Sequence, residues 1–309
     1  MVLLKKLLSR IILCIALALI TYCIIKHVKV ITTDISWIKE LNFDENEVHK
    51  LSFHFPGIRG CPQIPVTIND KNYTFIFDTG CGAGFSITNA LENKMQYDIL
   101  GRTEEYNRDG GYRGWTNVIK IEDDITFFDQ SLHNVVTTIA NWKMYSVTKF
   151  NGLIGLKYFD SKVIALDYKN KRIAITDKKV DYSKLGNEYI CIPLLKSTEQ
   201  GKNDLVFFEA KYENKPACIY LDTGTNHSFL WNKNSEYSFA SKQRNYKDIT
   251  IEIGDNTFNL EGVIEINDLA QNDGLPHPIA VALNSDKIKK LKILVVFDLI
   301  DQKLILKKL

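Results

Sequence analysis

A β-rich body built from two similar lobes is the fold class this sequence predicts, and three observations carry it. The triplet Asp-Thr-Gly occurs twice, at Asp78-Thr79-Gly80 and at Asp222-Thr223-Gly224. Each copy follows an apolar run rich in β-branched and aromatic residues, 73–77 in the first and 217–221 in the second, and such runs read as strands. Each run follows a polar turn, 69–72 and 213–216, of the kind that joins two strands. Phe85 and Phe229 then stand at the same distance beyond the two triplets. The two triplets lie close to half a chain apart, which implies a duplicated lobe and not a short-period solenoid. Each lobe is expected to deliver one carboxylate on a tight loop at the end of a strand.

Composition fits this picture. The chain has 309 residues, 45% of them apolar and 25% charged, as in ordinary globular domains. A formal charge of +2 gives no support to a nucleic-acid partner. Six cysteines lack CxxC spacing and six histidines are scattered, so neither a metal site nor any other cofactor is expected. Cys191 and Cys218 fall on strands expected to be neighbours. They form either a disulfide, if the body faces an oxidising compartment, or a pair of buried free thiols.

Taken in order, residues 1–9 are a short tail and 10–26 read as a transmembrane signal anchor. Residues 11–25 carry no charge and are flanked by Arg10 and Lys26. A spanning helix needs roughly 20 residues, and Leu7, Leu8 and the snorkelling flanks extend the run. A cleavable signal peptide is the rival reading, although no small-residue cleavage site follows Ile25. Lys5, Lys6 and Arg10 precede the run while Lys26 and Lys29 follow it, a slight bias toward an inside N-terminus and an extracytoplasmic body. Residues 27–50 form a connector in which Trp37, Ile38 and Leu41 pack on the body or meet the membrane surface. An inhibitory role for 28–50 is open.

The first lobe spans 51–181, with strands expected at 51–55, 64–68, 73–77, 118–121, 125–128 and 135–139. Gly110, Gly111 and Gly114, interleaved with Tyr112 and Trp115, read as a hairpin tip. The lobe closes with an apolar segment ending at Gly155 and a hairpin over 163–175. A polar crossover leads to the second lobe, 187–309, which repeats this order with strands at 189–194, 205–212, 216–221, 294–298 and 303–306.

Two carboxylates held side by side cannot both ionise easily, so over a range of pH they share one proton. A water between them has a base on one side, and a substrate carbonyl has an acid on the other. That is general acid–base hydrolysis of an amide without a covalent intermediate. Gly80 and Gly224 let each loop turn tightly, and Thr79 and Thr223 are placed to bond across the lobe interface. Thr225, after the second Gly, is placed to donate to a carboxylate, a role for which Cys81 is the weaker donor.

These motifs resemble the pepsin/retropepsin superfamily of aspartic proteases in its bilobal single-chain form, over roughly 51–309. The resemblance implies Asp78 and Asp222 as the catalytic pair, with Thr79, Gly80, Thr223, Gly224 and Thr225 as loop support. It implies that Leu153-Ile154-Gly155 passes behind the first loop. It also implies that the 110–115 tip is a flap over substrate, with Tyr112 and then Trp115 as its aromatic. The expected partners are a peptide or protein substrate and the membrane, with a monomeric body. The sequence departs from the family at Cys81, where Ser, Thr or Ala is usual, and at Ala282, read as standing where the second lobe should carry its Gly. The alternative function is a catalytically inactive peptide-binding or sensor module on the membrane.

Overall fold

The computed structural model describes residues 15–17, 19, 35–53, 60–106, 112–128, 130–140, 150–199, 202–269 and 274–309. About half of the chain is strand. The chain enters through a short helix α1 (Trp37–Glu40), a 3-10 turn (Glu45–Glu47) and strand β1 (Val48–Lys50). The first lobe follows as β2 (Gln63–Ile68), β3 (Lys71–Phe77), β4 (Phe85–Thr88), β5 (Tyr97–Tyr106), β6 (Tyr112–Ile121), β7 (Ile125–Phe127), β8 (Gln130–Leu132), β9 (Val135–Ala140), β10 (Gly152–Ile154), β11 (Val163–Asp167) and β12 (Arg172–Thr176). The second comprises β13 (Tyr189–Leu195), β14 (Val206–Tyr212), β15 (Lys215–Asp222), β16 (Phe229–Trp231), β17 (Asn245–Ile253), β18 (Asn256–Ile266), β19 (Ile279–Asn284), helix α2 (Ser285–Leu291), β20 (Ile293–Asp298) and β21 (Lys303–Lys308).

The strands form two barrel-like sheets. One has nine strands in the order β5-β6-β9-β4-β10-β3-β2-β7-β8. The other has twelve, β1-β12-β11-β20-β21-β13-β14-β15-β19-β16-β18-β17, and β14 pairs back onto β17 to curl its second half. The polar turns read from the sequence are tight hairpins. Asn69 and Asp70 link β2 to β3 with φ of 49° and 59°, and Glu213 and Asn214 link β14 to β15 with φ of 51° and 60°. Two consecutive residues at positive φ match the twist of a two-residue hairpin, and Asn and Asp tolerate that region best.

The two lobes share one sheet at their junction. The β11/β12 hairpin of the first lobe lies beside the β20/β21 hairpin of the second, with Ala165 opposite Val296 in an antiparallel β11–β20 pair. Alternation along β11 splits its burial between two cores. Ile164 and Leu166 face the large core that also holds Phe77 and Leu221. Val163 and Ala165 face the other way, onto Trp37, Ile38, Leu41 and Phe43. The Trp37 indole donates to Asp167 Oδ2 at 3.0 Å, so the ring is both packed and satisfied.

Of the two places open to Trp37, Ile38 and Leu41, the structure shows packing on the body. Residues 35–50 are part of the body, closing the face of the shared sheet that looks away from the large core. Their contacts are with the shared sheet; residues 28–34, the rest of the segment read as an open inhibitory element, lie outside the described residues. The anchor expected at 10–26 also lies largely outside them. Only 15–17 and 19 are described there, helical and exposed. Among the described residues no helix is long and apolar enough to cross a membrane. The Cys191–Cys218 disulfide is not formed: both thiols are free, Cys191 exposed on β13 and Cys218 buried on β15, with β14 between those strands.

Candidate active site

Strand β3 aims Asp78 out of the first lobe. Its partner β10 is inserted between β3, to which it runs parallel, and β4, to which it runs antiparallel. Asp78 N–H donates to the Ile154 carbonyl at 2.8 Å, and Gly155 N–H donates to the Gly84 carbonyl at 2.7 Å. The segment ending in Gly155 therefore braces the first loop from behind, as expected. In the second lobe β19 lies between β15, parallel, and β16, antiparallel, and presents Asp222 in the same way.

The loops meet head to head. Thr79 N–H donates to Thr223 Oγ1 at 3.0 Å, and Thr223 N–H donates to Thr79 Oγ1 at 3.0 Å. Each hydroxyl then donates onward across the interface, Thr79 to the Leu221 carbonyl at 2.7 Å and Thr223 to the Phe77 carbonyl at 2.7 Å. All four bonds are buried, where an unmet partner is costly. They hold Asp78 and Asp222 in a fixed relation although the two come from different lobes.

Both glycines are required by close approach. Gly80 N–H donates to Asp78 Oδ1 at 2.8 Å and Gly224 N–H donates to Asp222 Oδ1 at 2.9 Å. A Cβ on Gly80 would sit 2.7 Å from Asp222 Cγ, and one on Gly224 would sit 2.2 Å from Asp78 Cγ. Each carboxylate thus leans on the opposite loop. Asp78 is only 8% exposed. Burial, and then the charge of Asp222, hold its carboxyl well above the usual carboxylate range; a side-chain hydrogen bond to Asp222 acts in the same direction, and the Gly80 N–H opposes them. This is the behaviour of two carboxyl groups that share a proton.

Three details differ from the sequence reading. Thr225 engages the site through its carbonyl, which accepts from Cys61 Sγ at 3.8 Å. The hydroxyl that donates to Asp222 Oδ2 is that of Tyr220, at 3.3 Å. The signal was present in the sequence, since a residue two before Asp222 on a strand shares its face. Ala282 is not the counterpart of Gly155. Ile154 lies opposite Phe77 and Leu283 lies opposite Leu221, so Asn284 takes that position. Asn284 N–H donates to Ser228 Oγ at 2.9 Å, and its Oδ1 accepts from Lys287 N–H at 3.1 Å to cap α2. Ser285, next in line, donates to the Thr223 carbonyl at 3.0 Å and shares a 2.7 Å hydrogen bond with the Tyr168 hydroxyl of the first lobe.

The expected flap is the long β5/β6 hairpin, whose tip at 107–111 lies outside the described residues. Tyr112 and Trp115 stand on β6, 55% and 57% exposed, well apart in environment from the buried carboxylates. Burial and Asp78 push the Cys81 thiol up, and burial followed by Asp78 and Asp222 does the same to Cys61. Both stay neutral, which disfavours a thiolate nucleophile here. Among the described residues no group of three or more His, Cys, Asp or Glu side chains is placed to hold a metal ion. No known family model matches this chain, and no curated protein matches it.

Proposed function

We propose that the chain is a bilobal, pepsin-like aspartic endopeptidase, tethered to a membrane by its N-terminal apolar segment. The observation that carries this reading is the reciprocal Thr79–Thr223 exchange, which fixes two buried carboxyl groups against each other's loops. With one proton between them, the pair has a base for water and an acid for the scissile carbonyl. Water attacks the carbonyl carbon as one carboxylate takes its proton and the other carboxyl protonates the carbonyl oxygen. In the collapse of the resulting diol the protonated carboxyl gives its proton to the amide nitrogen, the C–N bond breaks, and the other carboxylate takes a hydroxyl proton from the diol, so the pair again holds one proton. Both carboxyl groups come from one chain, so the body works as a monomer. An extended peptide fits between the lobes by strand-like hydrogen bonding to the β5/β6 hairpin, and the tether selects substrates at the membrane surface.

A second reading, a peptide-binding module without catalysis, is favoured by the exposure of Tyr112 and Trp115 and by the buried Cys81 thiol beside Gly80. One experiment separates the two. The full chain in detergent is incubated with a diverse peptide mixture from acid to neutral pH, beside Asp78→Asn and Asp222→Asn variants. Cuts that vanish in both variants support the protease. Cuts that persist in them, or binding of peptides without any cut, would sink it.

A further inference from the structure

The two loops are close to symmetric in their backbone but not in their side chains. Position for position, Tyr220 in β15 answers to Ile76 in β3. Ile76 packs with Cys61, Cys81, Phe150 and Leu153 in a small apolar cluster and brings no polar atom to Asp78. Tyr220 is buried, its ring tilted against Phe207 at 5.3 Å between centroids, and its hydroxyl donates to Asp222 Oδ2 at 3.3 Å. The same hydroxyl lies against the first lobe, 2.6 Å from where a Cβ on Gly80 would stand. It therefore sits where the loops meet.

We propose that Tyr220 is a positioning residue that breaks the symmetry of the pair, making Asp222 the carboxylate that ionises first and leaving the shared proton on Asp78. This rests on the protease reading for its consequence, namely that Asp222 accepts the proton of water while Asp78 protonates the carbonyl. The main-chain donors are nearly matched, Gly80 on Asp78 at 2.8 Å and Gly224 on Asp222 at 2.9 Å. Gly224 N–H also favours charge on Asp78, as the weakest of the influences there. The phenol is the added donor, and it favours the charged form of its acceptor.

Among the described residues Cys61 and Cys81 feel both carboxylates, and the Tyr158 and Tyr168 phenols face those thiols, both pushed up above all by burial; Cys218 lies on the strand of Tyr220 and His227 follows Asp222 by five positions. Burial, above all, holds the three thiols up, so they are neutral. Burial, then Arg244 and Lys287, push His227 down, so it stays neutral until more acid pH.

The test uses the full chain labelled with carboxyl-13C aspartate. The titration of the infrared carboxylate band that is lost in Asp222→Asn is followed, together with the acid limb of peptide cleavage. In Tyr220→Phe both should move to higher pH by about half to one unit, a three- to tenfold change in proton affinity. Phe207→Leu, which loosens the ring packing and keeps the hydroxyl, should lower the melting temperature and leave both in place. His227→Gln should leave both in place as well. An unchanged band titration in a folded Tyr220→Phe protein overturns the assignment. If the wild-type chain makes no Asp-dependent cuts, the protease reading falls, and the infrared titration alone still decides the role of Tyr220.

Discussion

Thr79 and Thr223 each offer the other a hydroxyl acceptor and a backbone donor, with both N–H···Oγ1 distances at 3.0 Å. The exchange joins two lobes, and each hydroxyl also donates to a main-chain carbonyl of the other lobe at 2.7 Å. In Thr79→Val the Thr223 N–H and the Leu221 carbonyl lose their partner in a buried setting. The expected cost is about 2–6 kcal/mol, from about 1–3 kcal/mol for each unmet group. Thr79→Ser keeps both bonds and should stay within about 1 kcal/mol of the parent. Chemical denaturation of the three proteins checks this, and a Val variant as stable as the Ser variant would count against it.

Asp78 gives a pH prediction with a definite sign. Its folded-state affinity for a proton is raised above the ordinary carboxylate value of 3.8 by burial and then by Asp222. Between that unfolded value and the raised folded one, the native state binds more protons than the unfolded state. Stability therefore falls as pH rises through this window. Asp78→Asn removes the titration, so its stability curve should be flatter from acid toward neutral pH. Melting temperatures measured across that range give the answer, and parallel curves for the two proteins refute it.

The N-terminal segment makes a prediction about where the body begins. Trp37 is fully buried and bonded to Asp167. Trp37→Ala should cost about 3–5 kcal/mol. A fragment beginning at Leu51 should unfold at markedly lower temperature than one beginning at Ile35, because Val163, Ala165, Leu294 and Val296 lose their cover. Equal melting temperatures for the two fragments would show that the segment is dispensable.

Asn284 is the place to test the correction made in the second lobe. It caps α2 and bonds Ser228. Asn284→Ala should cost about 1–2 kcal/mol, and Ala282→Gly should not raise activity, because residue 282 is a strand position opposite Tyr220. Increased peptide cleavage by Ala282→Gly would reverse that assignment.

The parts of this molecule that were legible in the sequence are those written locally. The hairpin turns at 69–70 and 213–214, the strands that follow, and the paired Asp-Thr-Gly loops are each set by neighbours within a few residues. Asn284 was missed because the register of two parallel strands far apart in the chain leaves no local mark. Here β15 and β19 also shift register between Cys218 and Ile219, which displaces any alignment by counting. Trp37 was ambiguous because a strand buried on both faces shows no alternation to say that a second face needs cover. Tyr220 is one aromatic within the apolar run 217–221. Its place two before Asp222 puts it on that carboxylate's face, but the motif itself draws the eye to the residues after the Asp.

The bonds that join the loops span 142 to 146 residues of chain. Contacts of this kind are late and slow to form, since local structure offers no shortcut to them. A chain of which only the first half has been made holds a single carboxylate of the pair, Asp78. The chemistry proposed for this protein can begin only once both halves have folded and docked.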